Sequence, residues 1–470
     1  MNQPQLKKWQ RVFVNRTLNM GLIRSLGFDM DHTLALYNRE TFEALAFRET
    51  VKKFVAAGYP EDLLRLKFKP YYAIRGLLVD RERGNILKVD GHKYVKTAFH
   101  GHRMLDRDTR HKLYNSTSYR AYQFVSLDTL FALSEVQLFA EIVEYMDTHP
   151  GRIHKTYAEV YADLRQFIDL SHKDGTIKRE VLREPEKYIE KDKQLPSTLM
   201  RQVESGKKLF LLTNSLWDYT HAIMEFLFSG TTGHDFSSWR EAFEHVIVGA
   251  GKPGFFTGSQ PFYEVVTDSN LLKLHDGLLR PSAVYHGGNV QLFQKLTGYR
   301  GDEILYVGDH IYGDIIRSKD IVNWRTLLVI EELEEELKRL VEIKGLLSKI
   351  HKAIRDREDM DEKLQYLRAK LALNARQQEN ARNRNEQSKL RSLEADAANF
   401  LRESQAEAQR IEVLDQQIKK MTIDKESRFH PVWGELMKSR REHSRFASQV
   451  EDYACLYTSR VSNLRFYSPF

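Results

Sequence analysis

The sequence predicts an α/β fold: a parallel sheet covered by helices, interrupted by a large insertion and followed by a long helical hairpin. Three observations predict it. Short β-branched and aromatic runs ending in polar or glycine-containing segments recur at Ile23 to Phe28, Lys208 to Leu212, His245 to Val248, Glu303 to Val307 and Arg325 to Ile330, alternating with helical patterns. Parallel strands covered by helices read this way, and their ligands sit at the carboxyl ends of the strands. About 180 residues separate the first run from the second, far more than a crossover connection takes, so a further domain is inserted there. From Leu346 to Trp433 there is no glycine and only one proline, Pro431. Leu364, Leu367 and Leu371, then Ile411, Leu414, Ile418 and Met421, keep a three-four spacing there, which reads as long helices.

The boundaries follow in order. Residues 1–40 and 205–336 are expected to form the sheet-bearing core, with 426–470 packing back on it; residues 41–204 are the insertion, expected to cap the carboxyl edge of the sheet; residues 337–425 are the helical arm. The stretch from Asn374 to Ser388 is nearly all polar, which places the hairpin tip there, between two amphipathic limbs. The arm reads either as a solvated structural element or as an oligomerisation or partner-binding element.

Composition narrows the function classes. The chain has 470 residues, 41% of them hydrophobic, enough for at least one large core. No run of about 18 apolar residues occurs, and the basic start (Lys7, Lys8, Arg11, Arg16) leads into mixed sequence, so a cytoplasmic protein with no membrane partner is expected. A single cysteine, Cys455, excludes an internal disulfide framework and a cysteine-based zinc site. The net charge of +7 comes from basic residues dispersed among acidic ones, which suits anionic small molecules and does not argue for nucleic acid.

Four strand ends carry the chemistry. Asp29 and Asp31 follow the first run, two positions apart, so that where the backbone turns out of the sheet both carboxylates can converge on one phosphorus. Alone, the pair reads more readily as an Asp-rich turn than as a reactive pair. After the second run come Thr213, Asn214 and Ser215, a hydroxyl and an amide beside backbone N–H groups, suited to phosphate oxygens and equally to an ordinary helix cap. Lys252 follows the third run in a glycine-rich turn, where an ammonium offsets charge on a pentavalent phosphorus. Asp309 and Asp314 follow the fourth, and with Asp29 they make a partial oxygen cage for Mg²⁺.

In these residues the chain resembles the haloacid dehalogenase superfamily and, within it, the cytosolic purine 5'-nucleotidases that prefer IMP and GMP. The likeness covers Arg11 to Arg16, Gly27 to Tyr37, Arg75 to Leu77, Gly84 to Asp90, Leu211 to Ser215, Val284 to Gly288 and Ile304 to Ile315. Near the C-terminus it takes in Phe446 to Val450 and Tyr467 to Phe470; the arm, about Leu337 to Lys425, is unlike the family. The resemblance implies a Rossmann-like core with a cap. It also implies a two-step reaction in which Asp29 attacks the 5'-phosphate, while Asp31 protonates the leaving O5' and then deprotonates the hydrolytic water. Thr213, Asn214 and Ser215 would hold phosphate oxygens, Lys252 would neutralise charge, and Mg²⁺ would sit among Asp29, the Asp31 carbonyl and Asp309. Asp314 would orient a metal-bound water or Lys252.

The segment from Asp163 to Gly175 resembles the family's base-recognition helix. Its Arg165, Asp169 and His172 share one face and would read the O6/N7 edge, the N1–H and the ring of a 6-oxopurine, with Lys178 on the phosphate side. Arg75 and Asn85 match a family effector site, whereas Asp320 and Asp452 stand where basic residues are expected. Weak or absent activation by ATP follows, although Gln449, Tyr453 and Tyr312 still resemble that site's surroundings. Phosphotransfer to nucleosides and homo-oligomer formation are further expectations. The alternatives are a phosphatase of the same superfamily for another small phosphoester, and an interaction scaffold working through the arm.

Overall fold

The apolar runs pair into one ten-stranded sheet in the computed structural model, which describes residues 6–114, 124–281, 283–316, 318 and 322–470. In chain order the strands are β1 (Phe13–Val14), β2 (Ser25–Phe28), β3 (Lys208–Leu212), β4 (His245–Val248), β5 (Phe262–Val266), β6 (Leu271–Leu274), β7 (Val284–Gly287), β8 (Ile304–Gly308), β9 (Arg325–Val329) and β10 (Leu456–Thr458). Their spatial order is β1-β10-β9-β8-β2-β3-β4-β7-β5-β6. From β10 to β7 all neighbours are parallel, and antiparallel pairs occur only at the two edges. The predicted strands are present, three of them with an end shifted by one or two residues, the ordinary scatter of element boundaries.

Helices cover both faces, so successive residues alternate between two cores. Leu26, Phe28, Leu209, Leu211, Leu305 and Val307 enter one; Phe210, Leu212, Ile304 and Tyr306 enter the other. Gly27 has no alternative here: a Cβ would lie 2.2 Å from the Phe210 ring. After β2 the chain builds outward through β3, β4 and β7, then returns to the other side of β2 with β8 and β9. The carboxyl end of β2 is therefore the topological switch point, where loops diverge and leave room for a ligand.

The insertion begins with α1 (Arg39–Ala56), started by the Asn38 side chain accepting from the Thr41 N–H. It continues through a five-stranded antiparallel sheet built from segments between Leu78 and Ser126. Next comes α2 (Tyr157–Lys173), opened by a capping box between Thr156 and Glu159. A further helix, α3 (Trp217–Phe228), follows β3, and α4 (Glu332–Glu342) follows β9.

By its contacts the chain divides into two compact units, Met1–Leu337 with Glu435–Phe470, and Lys338–Gly434. The second unit is a hairpin of α5 (Lys344–Asn383) and α6 (Gln387–Ser427), with its turn inside the polar stretch that predicted it. Leu364, Leu367, Ile411 and Ile418 are buried in the seam, and ion pairs Lys363–Glu407 and Arg357–Asp415 fix the antiparallel register. Among the described residues no helix is long and apolar enough to cross a membrane. Cys455 is buried as a free thiol.

Candidate active site

Asp29 leaves the end of β2 with its N–H bonded to the Val307 carbonyl of β8 at 2.9 Å, so the sheet still holds its backbone. Its Oδ1 accepts from the Met30 N–H at 2.8 Å and from the Lys252 ammonium at 2.9 Å. Three residues on, the backbone turns, with His32 at φ 55°. The Asp31 carboxylate is fixed on both oxygens: Tyr37 donates to Oδ1 at 2.6 Å and Ser215 to Oδ2 at 2.8 Å. Tyr37 in turn meets the Tyr219 hydroxyl at 2.8 Å.

Lys252 reaches the same place from the turn after β4. Its Nζ lies 2.8 Å from Asp314 Oδ1 and 2.8 Å from the Tyr306 hydroxyl, and its side chain is only 4% exposed. Burial opposes that charge, and the carboxylates of Asp29 and Asp314 more than offset it, holding the ammonium well above the ordinary lysine range. Asp314 packs directly over the end of β8; a Cβ on Gly308 would lie 2.5 Å from its Oδ2.

Asp29, Asp309 and Asp314 are all buried and offer carboxylate oxygens within 4.8 Å of one another. Asp309 Oδ2 is buried without a hydrogen-bond partner. Burial pushes the Asp309 carboxyl well above the usual range, Asp314 adding to it and Arg75 opposing. Asp29 rises to about 7, through burial first, with Lys252 pulling down and Asp314 and Asp31 pushing up. Crowded carboxylates with an orphaned oxygen fit a hard cation, which would relieve both the repulsion and the missing partner. The group is thus able to hold a metal ion, and the Asp31 carboxylate stands apart from it, turned to Tyr37 and Ser215.

The remaining expected residues fall in two places. Thr213 is fully buried and its hydroxyl accepts from the Ser215 N–H at 3.1 Å. The Asn214 amide is spent on the Lys252 backbone, accepting from its N–H at 2.6 Å and donating to its carbonyl at 3.0 Å. α3 starts only at Trp217, so these residues line a loop rather than a cap. The Lys178 ammonium sits 5.0 Å over the Tyr219 ring, within reach of the Tyr37–Asp31 cluster. On α2, Arg165 pairs with the buried Glu135 and reaches Asp169 at 3.3 Å. His172 lies edge-on to Phe131 at 5.6 Å, and Phe131 edge-on to His32 at 4.5 Å, which joins this helix to the loop that carries Asp31.

Of the effector-site residues, Arg75 is committed to Glu332 and Asn85 to Tyr114 and His100, while Asp320 lies outside the described residues. Sequence reasoning missed Tyr37, Tyr219, Tyr306, Glu135 and Glu332. Tyr306 had a signal, a hydroxyl at an otherwise apolar position of β8, and Tyr37 lies only six residues from the carboxylate it holds; the others act across the fold and had none.

Comparison with known proteins agrees with this geometry. The model of the 5' nucleotidase family matches residues 12–470. A 5'-nucleotidase domain-containing protein of Dictyostelium discoideum is 29% identical over 341 residues, covering 70% of this chain. The 5'-nucleotidase domain-containing protein 2 of Rattus norvegicus is 30% identical over 345 residues, again covering 70% of the chain. The aligned regions span 56% and 60% of those relatives' own lengths.

Proposed function

The chain belongs to the 5' nucleotidase family, and we propose that it hydrolyses purine nucleoside 5'-monophosphates, IMP and GMP before AMP, through an aspartyl-phosphate, with Mg²⁺ as cofactor. The observation that carries this reading is the convergence of Asp29, Asp309, Asp314 and Lys252 on one buried point. Asp29, Asp309 and Asp314 would hold the cation. When bound, it supplies charge neutralisation that keeps these carboxylates ionised beside a phosphate dianion.

The chain's own groups do the rest. The Asp29 carboxylate forms a bond to phosphorus while the bond to O5' breaks, and Asp31 gives the departing oxygen its proton. Asp31 then takes a proton from the water that cleaves the acyl phosphate. Tyr37 and Ser215, one on each oxygen, keep its geometry through both transfers. Lys252 offsets charge at the phosphate, and its own position is set by Asn214 and Asp314.

Base choice falls to α2. Arg165, aimed by Glu135, would donate to a 6-oxopurine, and Asp169 would accept from N1–H. Adenine would leave both mismatched, at about 1–3 kcal/mol each. A second reading, a phosphatase for another small phosphoester, is favoured by the ion pairs that already engage Arg165 in the free protein. One assay separates them: phosphate release from IMP, GMP, AMP and a sugar phosphate with Mg²⁺, by wild type and Asp29→Asn. Release from 6-oxopurine nucleotides that the variant loses supports the nucleotidase. Equal or better release from the sugar phosphate removes it.

A further inference from the structure

Two consecutive glutamates beyond the end of β9 reach in different directions, into the two loops that carry the site's carboxylates. Glu331 Oε1 lies 2.8 Å from His32 Nδ1. Because a carboxylate only accepts, that ring nitrogen carries the proton. Glu332 takes Arg75 in a fork, at 2.9 Å from Nε and 2.6 Å from Nη2, and the third arm of the guanidinium, Nη1, donates to the Asp309 backbone carbonyl at 2.8 Å. The sheet order explains the reach: β9 neighbours β8, which Asp309 directly follows, and β8 neighbours β2, which Asp29 directly follows.

We propose that Glu331 and Glu332 form an internal strap whose members are positioning residues, setting the Asp31 loop through His32 and the Asp309 loop through Arg75. The inference rests on the chemical roles given above to Asp29, Asp31 and Asp309.

Three observations carry it. His32 sits at φ 55°, a left-handed conformation that a residue with a Cβ holds only when its surroundings enforce it. Here the ring is gripped by Glu331 at one nitrogen and packed among Phe131, Tyr37 and Phe42. His32 directly follows Asp31, so releasing the ring frees the turn that aims that carboxylate. Secondly, Asp309 Oδ2 has no partner, so its direction depends on its backbone, and the Arg75 donor holds that backbone at its carbonyl. Thirdly, Arg75 is 1% exposed, backed by the Phe446 ring at 5.1 Å. A buried ion pair is a poor route to stability compared with apolar packing of the same volume, so its geometry is its more informative property. A planar guanidinium is the side chain that can fork onto one carboxylate and still donate to a carbonyl at a fixed angle; lysine, a point charge, cannot do both.

The test replaces the pair rather than half of it. Arg75→Met with Glu332→Met removes both charges, fills a similar volume and leaves no unpaired buried ion. The readouts are the melting temperature, binding of Mg²⁺ alone by calorimetry, and kcat and KM for the best nucleotide. The strap predicts melting within a few degrees of wild type, Mg²⁺ binding at least about tenfold weaker, and kcat lower by about 10–100-fold with KM within about twofold. Glu331→Gln lowers kcat in the same pattern with Mg²⁺ binding little changed, because it acts on the Asp31 loop. Should the double variant fail to fold, Arg75→Lys carries the test, with the same expected losses. Mg²⁺ affinity and kcat both within about twofold of wild type, or a lowered melting temperature with kcat intact, overturn the strap, as does a wild type that binds no Mg²⁺. A wild type that binds Mg²⁺ but releases no phosphate from any nucleotide overturns the proposed function instead, and the calorimetry still decides the strap.

Discussion

Lys252 is 4% exposed and touches two carboxylates and a tyrosine hydroxyl, whereas Arg165 is 45% exposed and is held by one buried glutamate and one surface aspartate. Both are single cations placed beside candidate substrate groups, one at the phosphate end and one at the base end. The phosphate end is built from strand termini locked into a sheet. The base end is built from one face of a helix in the insertion. Charges inside a dry cluster interact strongly and tolerate no vacancy, while charges near water are screened and exchange partners at little cost. The first arrangement suits a reaction that does not vary; the second suits a preference that can.

That contrast is broken or sharpened most severely at Asp29. Asp29→Asn removes the attacking carboxylate and lowers kcat by about 10³-fold or more, measured as phosphate release; residual turnover within about tenfold of wild type would end the nucleophile's role. Asp309→Asn leaves the fold intact and raises the Mg²⁺ concentration needed for half-maximal turnover by about tenfold or more, with kcat lower by about 10²-fold, and chelator abolishes wild-type turnover. At the base end the effect is smaller and selective. Arg165→Ala raises KM for a 6-oxopurine nucleotide by about tenfold while leaving turnover of a sugar phosphate unchanged. An equal loss on both substrates would make Arg165 structural.

His172 gives a smaller effect, on stability. Burial first, with Lys178 adding, depresses its imidazole to about 4. Between that value and the ordinary 6.5 the unfolded chain binds a proton that the folded chain refuses, so stability falls as pH drops from 6.5 to 4. Because the ring is only half-buried, the loss is at most about 2 kcal/mol. His172→Phe should flatten this part of the denaturation profile, and an unchanged slope would refute the assignment. Least affected is turnover on shortening the hairpin by removing Leu364 to Met421, expected within about twofold of wild type; a large loss would tie the arm to catalysis.

Much of this was legible along the chain. The hairpin followed from local periodicity, because an apolar seam repeats at every helical turn, and the parallel strands followed from short unbroken apolar runs, because both of their faces are buried. Asp29, Lys252, Asp309 and Asp314 were legible because each stands directly after a strand or in the turn that follows one, and parallel strands bring their carboxyl ends together by construction. Asn214 and Ser215 were read as phosphate ligands from residue type, and the fold spends their side chains on the Lys252 backbone and on Asp31. No local pattern distinguishes these uses, since an amide or hydroxyl serves either.

The sequence alone therefore determined which elements form and which residues stand at their ends, as these depend on neighbours in the chain. Only the tertiary structure decided who holds whom. Tyr219 meets Tyr37 across 182 positions, and Arg75 meets Glu332 across 257. The first depends on how the helix after β3 packs beside the end of β2, and the second on how the insertion folds back over the sheet. A buried charge has no say in that until burial has made its partner obligatory.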